Sequence, residues 1–236
     1  AGLLKPAAPS KKAVRITELN ALACPEPGIS NSFESALWIA DILYEYARAG
    51  VSGINLHAGN RNTEGGWDAG SPFHFHIPEQ QYQSAGIPAP PDSGPAAGYA
   101  LKAVLPLYYG MLLFAEAAPA RSALLPVGLK TDANVKAWAT RNDATGELKV
   151  ILINKEPDLL GKISLSVPGY RSGKIKRLMA PSYRSQSGIT YPGRTFDGST
   201  DGKPVGKAET ESVTSPDSAF EVPIGPASAV LITFEK

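Results

Sequence analysis

The stretch AVRITELN, residues 13–20, decides the fold, because it places a short β-branched run directly before a carboxylate and an amide. The run favours a buried β-strand that ends near Glu18. A similar run, VSGINLH at residues 51–57, predicts a second short strand. Because a helical pattern separates the two runs, the order strand, helix, strand predicts a parallel crossover unit.

The helix between these strands is predicted from its ends and its apolar spacing. The segment from Asn31 to Glu34 has the pattern of a reciprocal N-terminal cap, and Gly50 supplies the expected stop. Apolar residues recur between them at spacings of three and four, at Phe33, Ala36, Leu37, Ala40, Leu43, Tyr44 and Ala47. This spacing predicts one apolar helix face that packs, with the neighbouring Trp38, against a sheet.

The remaining chain divides into a loop, an apolar stretch and a β-rich half. Residues 58–95 are rich in Gly, Pro, Asn and Ser, which predicts a long functional loop. Residues 98–117 are almost all apolar and predict a buried helix, in which Pro106 either causes a kink or begins a second helix. From residue 128 onward, short apolar runs alternate with turn residues, which predicts an all-β sandwich that is closer to an autonomous domain than the first half of the chain.

Composition excludes several classes of protein. The 23 Lys and Arg residues against 22 Asp and Glu residues give a net charge of +1, which argues against a nucleic-acid partner. No apolar run approaches the roughly 20 residues of a membrane span. Cys24 is the single cysteine, so an internal disulfide or a thiolate metal cluster is excluded. The chain starts at Ala1 without a leader pattern, and we expect any targeting peptide to be absent or already removed.

The strand-end position of Glu18 indicates a catalytic group. Barrel enzymes place their catalytic residues at the carboxyl ends of strands that lead into helices. From position alone, a solvated loop charge is the alternative. Two βα units in residues 13–118 cannot close a sheet, since a (β/α)8 barrel typically takes about 250 residues. We therefore expect a further segment, subunit or copy to complete the barrel.

Several motifs, in their order along the chain, resemble glycoside hydrolase family 79, the β-glucuronidase and heparanase-like family. They are RITELN at 15–20, GISNSF at 28–33, GVSGINLH at 50–57, PLYYGMLLFA at 106–115, LINK at 152–155, RLMAPS at 177–182 and PASAV at 226–230. The resemblance covers nearly the whole chain from about residue 13. It implies an α/β plus all-β fold, in which residues 1–127 are the C-terminal part of a (β/α)8 TIM barrel, strands 7 and 8 with their helices. Residues 128–236 would be the C-terminal β-sandwich domain.

The resemblance also implies a catalytic role for Glu18, the nucleophile of a retaining glycosidase. Such an enzyme needs a second carboxylic acid about 5–5.5 Å away. In the family this acid/base is a glutamate on the fourth barrel strand, which this chain does not contain. None of the nearby acids is assigned to that role, namely Glu26, Glu34, Glu45 and Glu64. We expect the chain to carry half of a catalytic pair and to depend on a missing N-terminal barrel segment or subunit.

Further residues are implied as contacts of a β-glucuronide substrate. Asn20 follows the nucleophile, His57 ends the second strand, and Gly59 and Asn60 match a Gly-Asn step beside the sugar's carboxylate in the family. A structural histidine and an ordinary turn glycine are the alternatives at those positions.

Two positions depart from the family's pattern. Where family members that recognise glucuronic acid have tyrosines, this chain has Ala23 or Cys24 after the nucleophile and Arg61 after the Gly-Asn step. Arg61 can hold a carboxylate through a bidentate pair, and Trp67 can supply a stacking face, although a solvated arginine is the alternative. The preference for a uronic acid is therefore a weaker expectation than the glycosidase class.

No metal or cofactor is expected. His74 and His76, together with His57, would give three imidazoles, but zinc-site spacing with supporting acids is not evident. We expect residues 73–76 to alternate faces in a short extended segment. Tyr108 and Tyr109 are expected to pack in the core.

Three hypotheses about function remain from the sequence. The leading one is a fragment or subunit of a retaining glycoside hydrolase that cleaves β-linked glucuronic acid from glycoconjugates or polysaccharides. The alternative is a non-catalytic remnant that acts as a carbohydrate-binding or scaffold module. A different retaining family with the same barrel type would keep Glu18 and change the sugar. The resemblance implies secretion or a periplasmic location.

Overall fold

The computed structural model describes residues 13–22, 27–56, 70–86, 88–89, 93–94 and 98–235. The structure is rich in β-sheet and has few helices. Its strands are β1 Val14–Leu19, β2 Val51–Leu56, β3 Phe73–His76, β4 Ala100–Val104, β5 Ser122–Leu125, β6 Val135–Asn142, β7 Leu148–Asn154, β8 Gly161–Ser166, β9 Ser172–Leu178, β10 Glu211–Thr214, β11 Ala219–Ile224 and β12 Ser228–Glu235. Its helices are α1 Phe33–Arg48, α2 Glu79–Ser84 and α3 Pro106–Ala117. None of these described helices has the length and apolar character needed to cross a membrane.

The predicted strand, helix, strand unit is confirmed. β1 and β2 pair in parallel, and α1 connects them. α1 ends at Arg48, and Gly50 follows it with a φ of 85°, a conformation that glycine adopts without strain.

The predicted reciprocal cap of α1 is wrong. Ser32 is the N-cap residue and its side chain makes no capping hydrogen bond. Instead, the backbone N–H of Phe33 donates to the carbonyl of Ser185 and that of Glu34 donates to the carbonyl of Tyr183, each at 2.8 Å. These bonds satisfy two of the donors that a helix leaves open at its start, so a loop distant in sequence replaces the local cap.

The long apolar helix predicted for residues 98–117 is also wrong in its first half. Residues Ala100–Val104 form β4, which pairs antiparallel with β3, and α3 begins at Pro106. Proline suits the first helical turn because its missing N–H has no partner there in any helix. The predicted loop at 58–95 likewise contains β3 and α2, and β3 has the extended conformation expected for residues 73–76.

The main sheet has six antiparallel strands in the order β10-β9-β12-β7-β6-β5. Its central strands are apolar on both faces. On β7, Ile151 and Ile153 belong to one buried cluster, whereas Val150 and Leu152 belong to another. Both faces of this sheet are therefore covered.

The two faces of the main sheet have different covers. On one face, residues of α1 and α3 share a buried cluster with Trp138, Ile151 and Leu231. On the other face, Phe220 and Val222 of the β8–β11 pair join Val150 and Ile232. Residues 128–236 alone would expose the sheet face that the helices cover. Their greater autonomy relative to the first half of the chain stays a prediction. The boundary between 127 and 128 stays a prediction, and β5, which precedes it, pairs with β6.

Tyr109 confirms the expected core role of the α3 aromatics and adds a polar contact. Its side chain is buried, and its hydroxyl accepts a hydrogen bond from the backbone N–H of Phe196 at 2.6 Å. Burial raises the pKa of Tyr109, while hydrogen bonds with Thr195 and Phe196 lower it. The ring of Tyr108 packs against Phe73 and Phe196.

A polar cluster fixes the C-terminal end of α3. Lys149 donates to the backbone carbonyl of Glu116 at 2.9 Å, and the Glu116 carboxylate accepts bonds from Lys176 and from the hydroxyl of Tyr191. Cations are favourable at a helix C-terminus, where carbonyls lack helical partners. Burial is the main cause that raises the pKa of Tyr191, and the negative charge of Glu116 raises it further.

Asp41 connects α1 to the main sheet. Its side chain is 9% exposed, and it accepts a hydrogen bond from the indole N–H of Trp138 at 2.8 Å and pairs with the ammonium of Lys155 at 2.5 Å. A carboxylate this deep in an apolar layer requires such partners. The pairing therefore sets the position of α1 over β6 and β7.

We predict that Gly110→Ala destabilises the protein by about 1–3 kcal/mol, because α1 and α3 cross at this residue. An added Cβ would collide with the backbone carbonyl of Ala36 and with Ile39. Urea denaturation of the 236-residue chain measures the change. Gly128→Ala is the control, because nothing lies within 4 Å of its added Cβ. Equal unfolding free energies for the two variants would contradict the close crossing.

We predict that Asp41→Ala lowers the free energy of unfolding by about 2 kcal/mol, since it leaves Lys155 and the Trp138 indole without their anion. This loss of unfolding free energy is smaller than the loss expected for a fully buried ion pair, because the Lys155 side chain is 25% exposed. Chemical denaturation followed by Trp fluorescence measures it. Asp132→Ala is the control at an exposed site and should change stability by less than about 0.5 kcal/mol. A similar small change for Asp41→Ala would refute the role assigned to the pair.

Candidate active site

Glu18 lies at the carboxyl end of β1, beside the end of β2. Ile16 pairs with Ile54 and Leu19 pairs with Leu56, so β1 advances three residues where β2 advances two. One extra residue is thus inserted into β1 at Thr17 and Glu18. Such β-bulges re-aim side chains and are over-represented next to active sites.

The burial pattern shows the effect of this irregularity. Along β1, Val14, Ile16 and Leu19 are partly buried, whereas Arg15, Thr17 and Glu18 are exposed. Strict alternation would have placed Glu18 with Ile16. The inserted residue instead brings Glu18 to the exposed face of the strand pair, with Arg15.

This exposed face is polar along its length. The guanidinium of Arg15 lies over Gly53, where a Cβ would collide with it, and it donates a hydrogen bond to Asn55 Oδ1 at 3.2 Å. Arg15 and Gly53 are register partners, so their side chains would share one face. The glycine therefore leaves the space that the arginine occupies, and Glu18 follows at the carboxyl end of the same face.

Asn20 lies just past the strand end and is held by close contacts. Its Oδ1 accepts a hydrogen bond from the backbone N–H of Ala21 at 2.8 Å. Its amide also packs against Gly70 so closely that a Cβ there would collide with it. The buried hydroxyl of Ser71 has no hydrogen-bond partner within the part of the chain that the structure describes. The segment that leads into β3 thus passes beside the end of β1.

Of the residues predicted for the site, the structure describes Glu18 and Asn20. The other predicted contacts lie outside the described residues: His57, Gly59, Asn60, Arg61 and Trp67. The same holds for Ala23, Cys24, Glu26 and Glu64.

The two described alternative acids belong to α1. Glu45 pairs with Arg48 and with Lys136 near the C-terminal end of the helix, which leads into the first residue of β2. It therefore lies at the opposite end of the parallel strands from Glu18. Glu34 lies in the first turn, next to the loop that caps the helix. The position of Glu45 therefore does not support the role of acid/base, and no observation assigns Glu34 to that role.

The histidines of β3 lie on an extended segment of the chain. His74 and His76 lie on a strand that pairs with β4, and the rings of Phe73 and Phe75 are in contact. Among the described ranges, no group of three or more His, Cys, Asp or Glu residues is arranged to hold a metal ion.

The loop that caps α1 is the feature that the sequence did not reveal. Besides the carbonyls of Tyr183 and Ser185, this loop contributes Gln186, which accepts a hydrogen bond from the Asn31 amide at 2.8 Å. Residues 20–32 connect the carboxyl end of β1 to this point. The β-rich half of the chain therefore anchors the element that follows Glu18.

Comparison with protein families gives one match, which lies in the second half of the chain. Residues 134–231 match the family described as the glycosyl hydrolase family 79 C-terminal beta domain. The resemblance inferred from the sequence is thereby confirmed over these residues. A search among curated proteins gives no match.

Solved structures share the fold at low sequence identity. A 4-O-α-L-rhamnosyl-β-D-glucuronidase from Fusarium oxysporum 12S matches 98% of this chain with a TM-score of 0.73 and 18% identity. A family 51 α-L-arabinofuranosidase from Thermotoga petrophila matches 99% of it with a TM-score of 0.61 and 13% identity. A family 30 subfamily 8 xylanase from Clostridium acetobutylicum matches 98% of it with a TM-score of 0.57 and 10% identity. The chain spans less than half the length of each, namely 47%, 45% and 44%.

We predict that Gly70→Ala displaces the Asn20 side chain while changing the free energy of unfolding by less than about 1 kcal/mol, since the collision involves the end of a flexible side chain. The side-chain amide signals of Asn20 in a ¹⁵N-labelled chain should shift. Gly98→Ala, whose added Cβ meets nothing within 4 Å, should leave them unchanged. Unshifted Asn20 signals in Gly70→Ala would show that this contact does not exist in solution.

Proposed function

We propose that the chain is the C-terminal portion of a retaining glycoside hydrolase that acts on β-linked glucuronic acid, with Glu18 as its nucleophile. One observation carries the proposal: Glu18 projects from a bulged carboxyl end of a parallel strand, in a chain whose second half matches the family 79 C-terminal beta domain. Catalytic groups of barrel enzymes occupy such strand ends.

In this proposal, residues 1–127 are strands 7 and 8 of a (β/α)8 barrel with their helices, and residues 128–236 are the C-terminal β-sandwich. The parallel pairing of β1 and β2 with α1 between them supports the first assignment. Packing of the β8–β11 pair on one face of the main sheet supports the second. Solved structures that match nearly the whole chain at about twice its length support the view that more barrel strands exist.

The chemistry that we propose requires two carboxyl groups. Glu18 attacks the anomeric carbon as a carboxylate and forms a covalent glycosyl-enzyme, while a second carboxylic acid protonates the departing glycosidic oxygen. That second group then removes a proton from the water that releases the sugar. The acid/base is proposed to come from a missing N-terminal barrel segment or subunit, because Glu45 lies at the opposite end of the strands and Glu34 belongs to a helix turn rather than to a strand end.

The missing segment is also needed for structural reasons. Within the described residues β1 and β2 pair only with each other, so the outer edge of each strand is open. Parallel sheets are normally buried on both faces, and open edges invite further pairing. A segment that adds strands to these edges would bring its own carboxylate to the end of the sheet where Glu18 lies.

The proposed substrate is a β-linked glucuronide. The solved structure with a TM-score of 0.73 belongs to an enzyme named as a β-D-glucuronidase, which supports this sugar. Asn20 and His57 are proposed to contact the sugar hydroxyls. Gly59, Asn60 and Arg61 are proposed to hold its carboxylate, with Trp67 as a stacking face.

We predict that a uronic-type cyclitol epoxide or a 2-fluoro-glucuronide labels the complete enzyme on the peptide that contains Glu18. Such reagents trap the covalent intermediate of a retaining enzyme. Peptide mapping by mass spectrometry identifies the labelled residue. Glu18→Gln should abolish labelling and lower kcat by several orders of magnitude without changing the melting temperature, since Glu18 is exposed.

The matched control is Glu45→Gln, which should keep both labelling and turnover. The 236-residue chain by itself should show negligible turnover of an aryl β-glucuronide, because general acid–base assistance contributes about 10²–10⁴-fold and its residue is missing. Labelling at another residue, or full activity of Glu18→Gln, would refute the proposal. Labelling by glucose-type but not glucuronide-type reagents would retain Glu18 and change the sugar.

A further inference from the structure

A groove lies between the N-terminal half of α1 and the loops of the β-rich half. Its larger part is a cavity of about 570 Å³ between residues 179–183 and the turns that follow β7 and β11. Its smaller part, of about 290 Å³, lies against α1. Pro157 and Tyr183 line both parts, so the two cavities form one continuous groove.

The lining of the groove combines ring faces with polar groups. Trp38 and Tyr183 line the smaller part, together with Glu34 and Lys155. Both aromatic side chains are partly buried, so each keeps some exposed surface. The guanidinium of Arg184 lies 5.2 Å from the centre of the Tyr183 ring.

The walls of the groove are held in place before any ligand arrives. The carbonyl of Tyr183 accepts a hydrogen bond from the backbone N–H of Glu34, which joins the two walls of the smaller part. Lys155 is held by its ion pair with Asp41, and Ser182 is held by Ser185. Preformed sites of this kind avoid much of the ordering cost of binding.

The chemistry of this lining fits a sugar better than an apolar or a highly charged ligand. A pyranose ring presents C–H groups on its faces, which suit an indole or a phenol ring, and hydroxyls at its rim, which suit carboxylates and ammonium groups. The charged lining residues are balanced in sign, with Glu34 and Asp158 against Lys155 and Arg177. This balance argues against a polyanion such as a nucleic acid.

We propose that this groove is a second, non-catalytic binding site for a pyranose oligosaccharide, with Trp38 and Tyr183 as its stacking surfaces. The cavity volumes lie near the range of about 300–1,000 Å³ that is typical of small-ligand sites. Neither Glu18 nor any other residue of β1 is among the residues that line the two cavities. The inference goes beyond the proposed function and does not depend on the role of Glu18.

The test uses the ¹⁵N-labelled 236-residue chain and two probes, neutral xylohexaose and a xylo-oligosaccharide of similar length that bears one 4-O-methylglucuronic acid branch. The indole N–H signal of Trp38 should shift with saturation at millimolar probe. The signal of Trp138, which is buried and bonded to Asp41, should not. A shift with both probes indicates recognition of the pyranose ring, and a shift with the branched probe alone indicates recognition of the uronic acid.

Variants separate this site from the catalytic one. Tyr183→Ala should weaken binding about fivefold to tenfold, which is the loss expected for one aromatic face, and it keeps the backbone carbonyl that caps α1. Tyr183→Phe should bind normally, and so should Tyr99→Ala, which removes an aromatic side chain that is 60% exposed outside the groove. Glu18→Gln should bind the probes in the groove as the unmodified chain does, whether or not Glu18 has the proposed catalytic role.

Two results would overturn the inference. One is an unshifted Trp38 signal with both probes at about 10 mM, a concentration that would nearly saturate a site with a Kd of about 1 mM. The other is unchanged affinity in a folded Tyr183→Ala. If Tyr183→Ala does not fold, Trp38→Ala replaces it, and unchanged affinity there is equally decisive.

Discussion

The carboxylate of Asp41 is the group on which the arrangement of this chain depends. It lies in the layer between α1 and the main sheet, where an unpaired charge would cost several kcal/mol. Its partners Trp138 and Lys155 lie on β6 and just after β7, so they set the position of the helix along and across these strands. Apolar contacts alone are not directional and would allow α1 to shift relative to the strands. The two bonds of Asp41 are directional and fix the position of α1 on the sheet.

The position of α1 in turn determines where the candidate active site lies. The helix starts from a cap made by the carbonyls of Tyr183 and Ser185, and it is the first helix that follows β1 in the chain. Two contacts from the β-rich half, at Asp41 and at the cap, therefore hold the helix that follows Glu18. These contacts accompany the buried cluster in which residues of α1 and α3 pack with residues of the main sheet, so that this cluster joins both halves of the chain.

The parts that could be predicted from the sequence are those with a clear period or a clear terminus. The spacing of Phe33, Ala36 and Leu37 predicted α1, and Gly50 predicted its end, because these signals are local. The run at Ala100–Val104 was misassigned as helix, since periodicity does not separate a short apolar strand from a buried helix and the deciding partner, β3, is distant in sequence. The cap of α1 could not be predicted for the same reason. The apolar run in β7 is continuous, and such a run is typical of a strand that is buried on both faces. An alternating pattern of apolar and polar residues would instead have predicted one exposed face.

The candidate site shows the same division between local and distant information. Glu18 was found from its place at a strand end, but its orientation depends on a register difference between β1 and β2 that only the pairing reveals. That difference places Glu18 on the face that carries Arg15 and Asn55. A polar face on a parallel strand pair is costly to bury unless its cover is also polar. The retaining mechanism proposed above needs a second carboxyl group about 5–5.5 Å from the first, which such a cover would supply. If the proposed function is correct, the segment that covers this face is also the one that completes the catalytic pair.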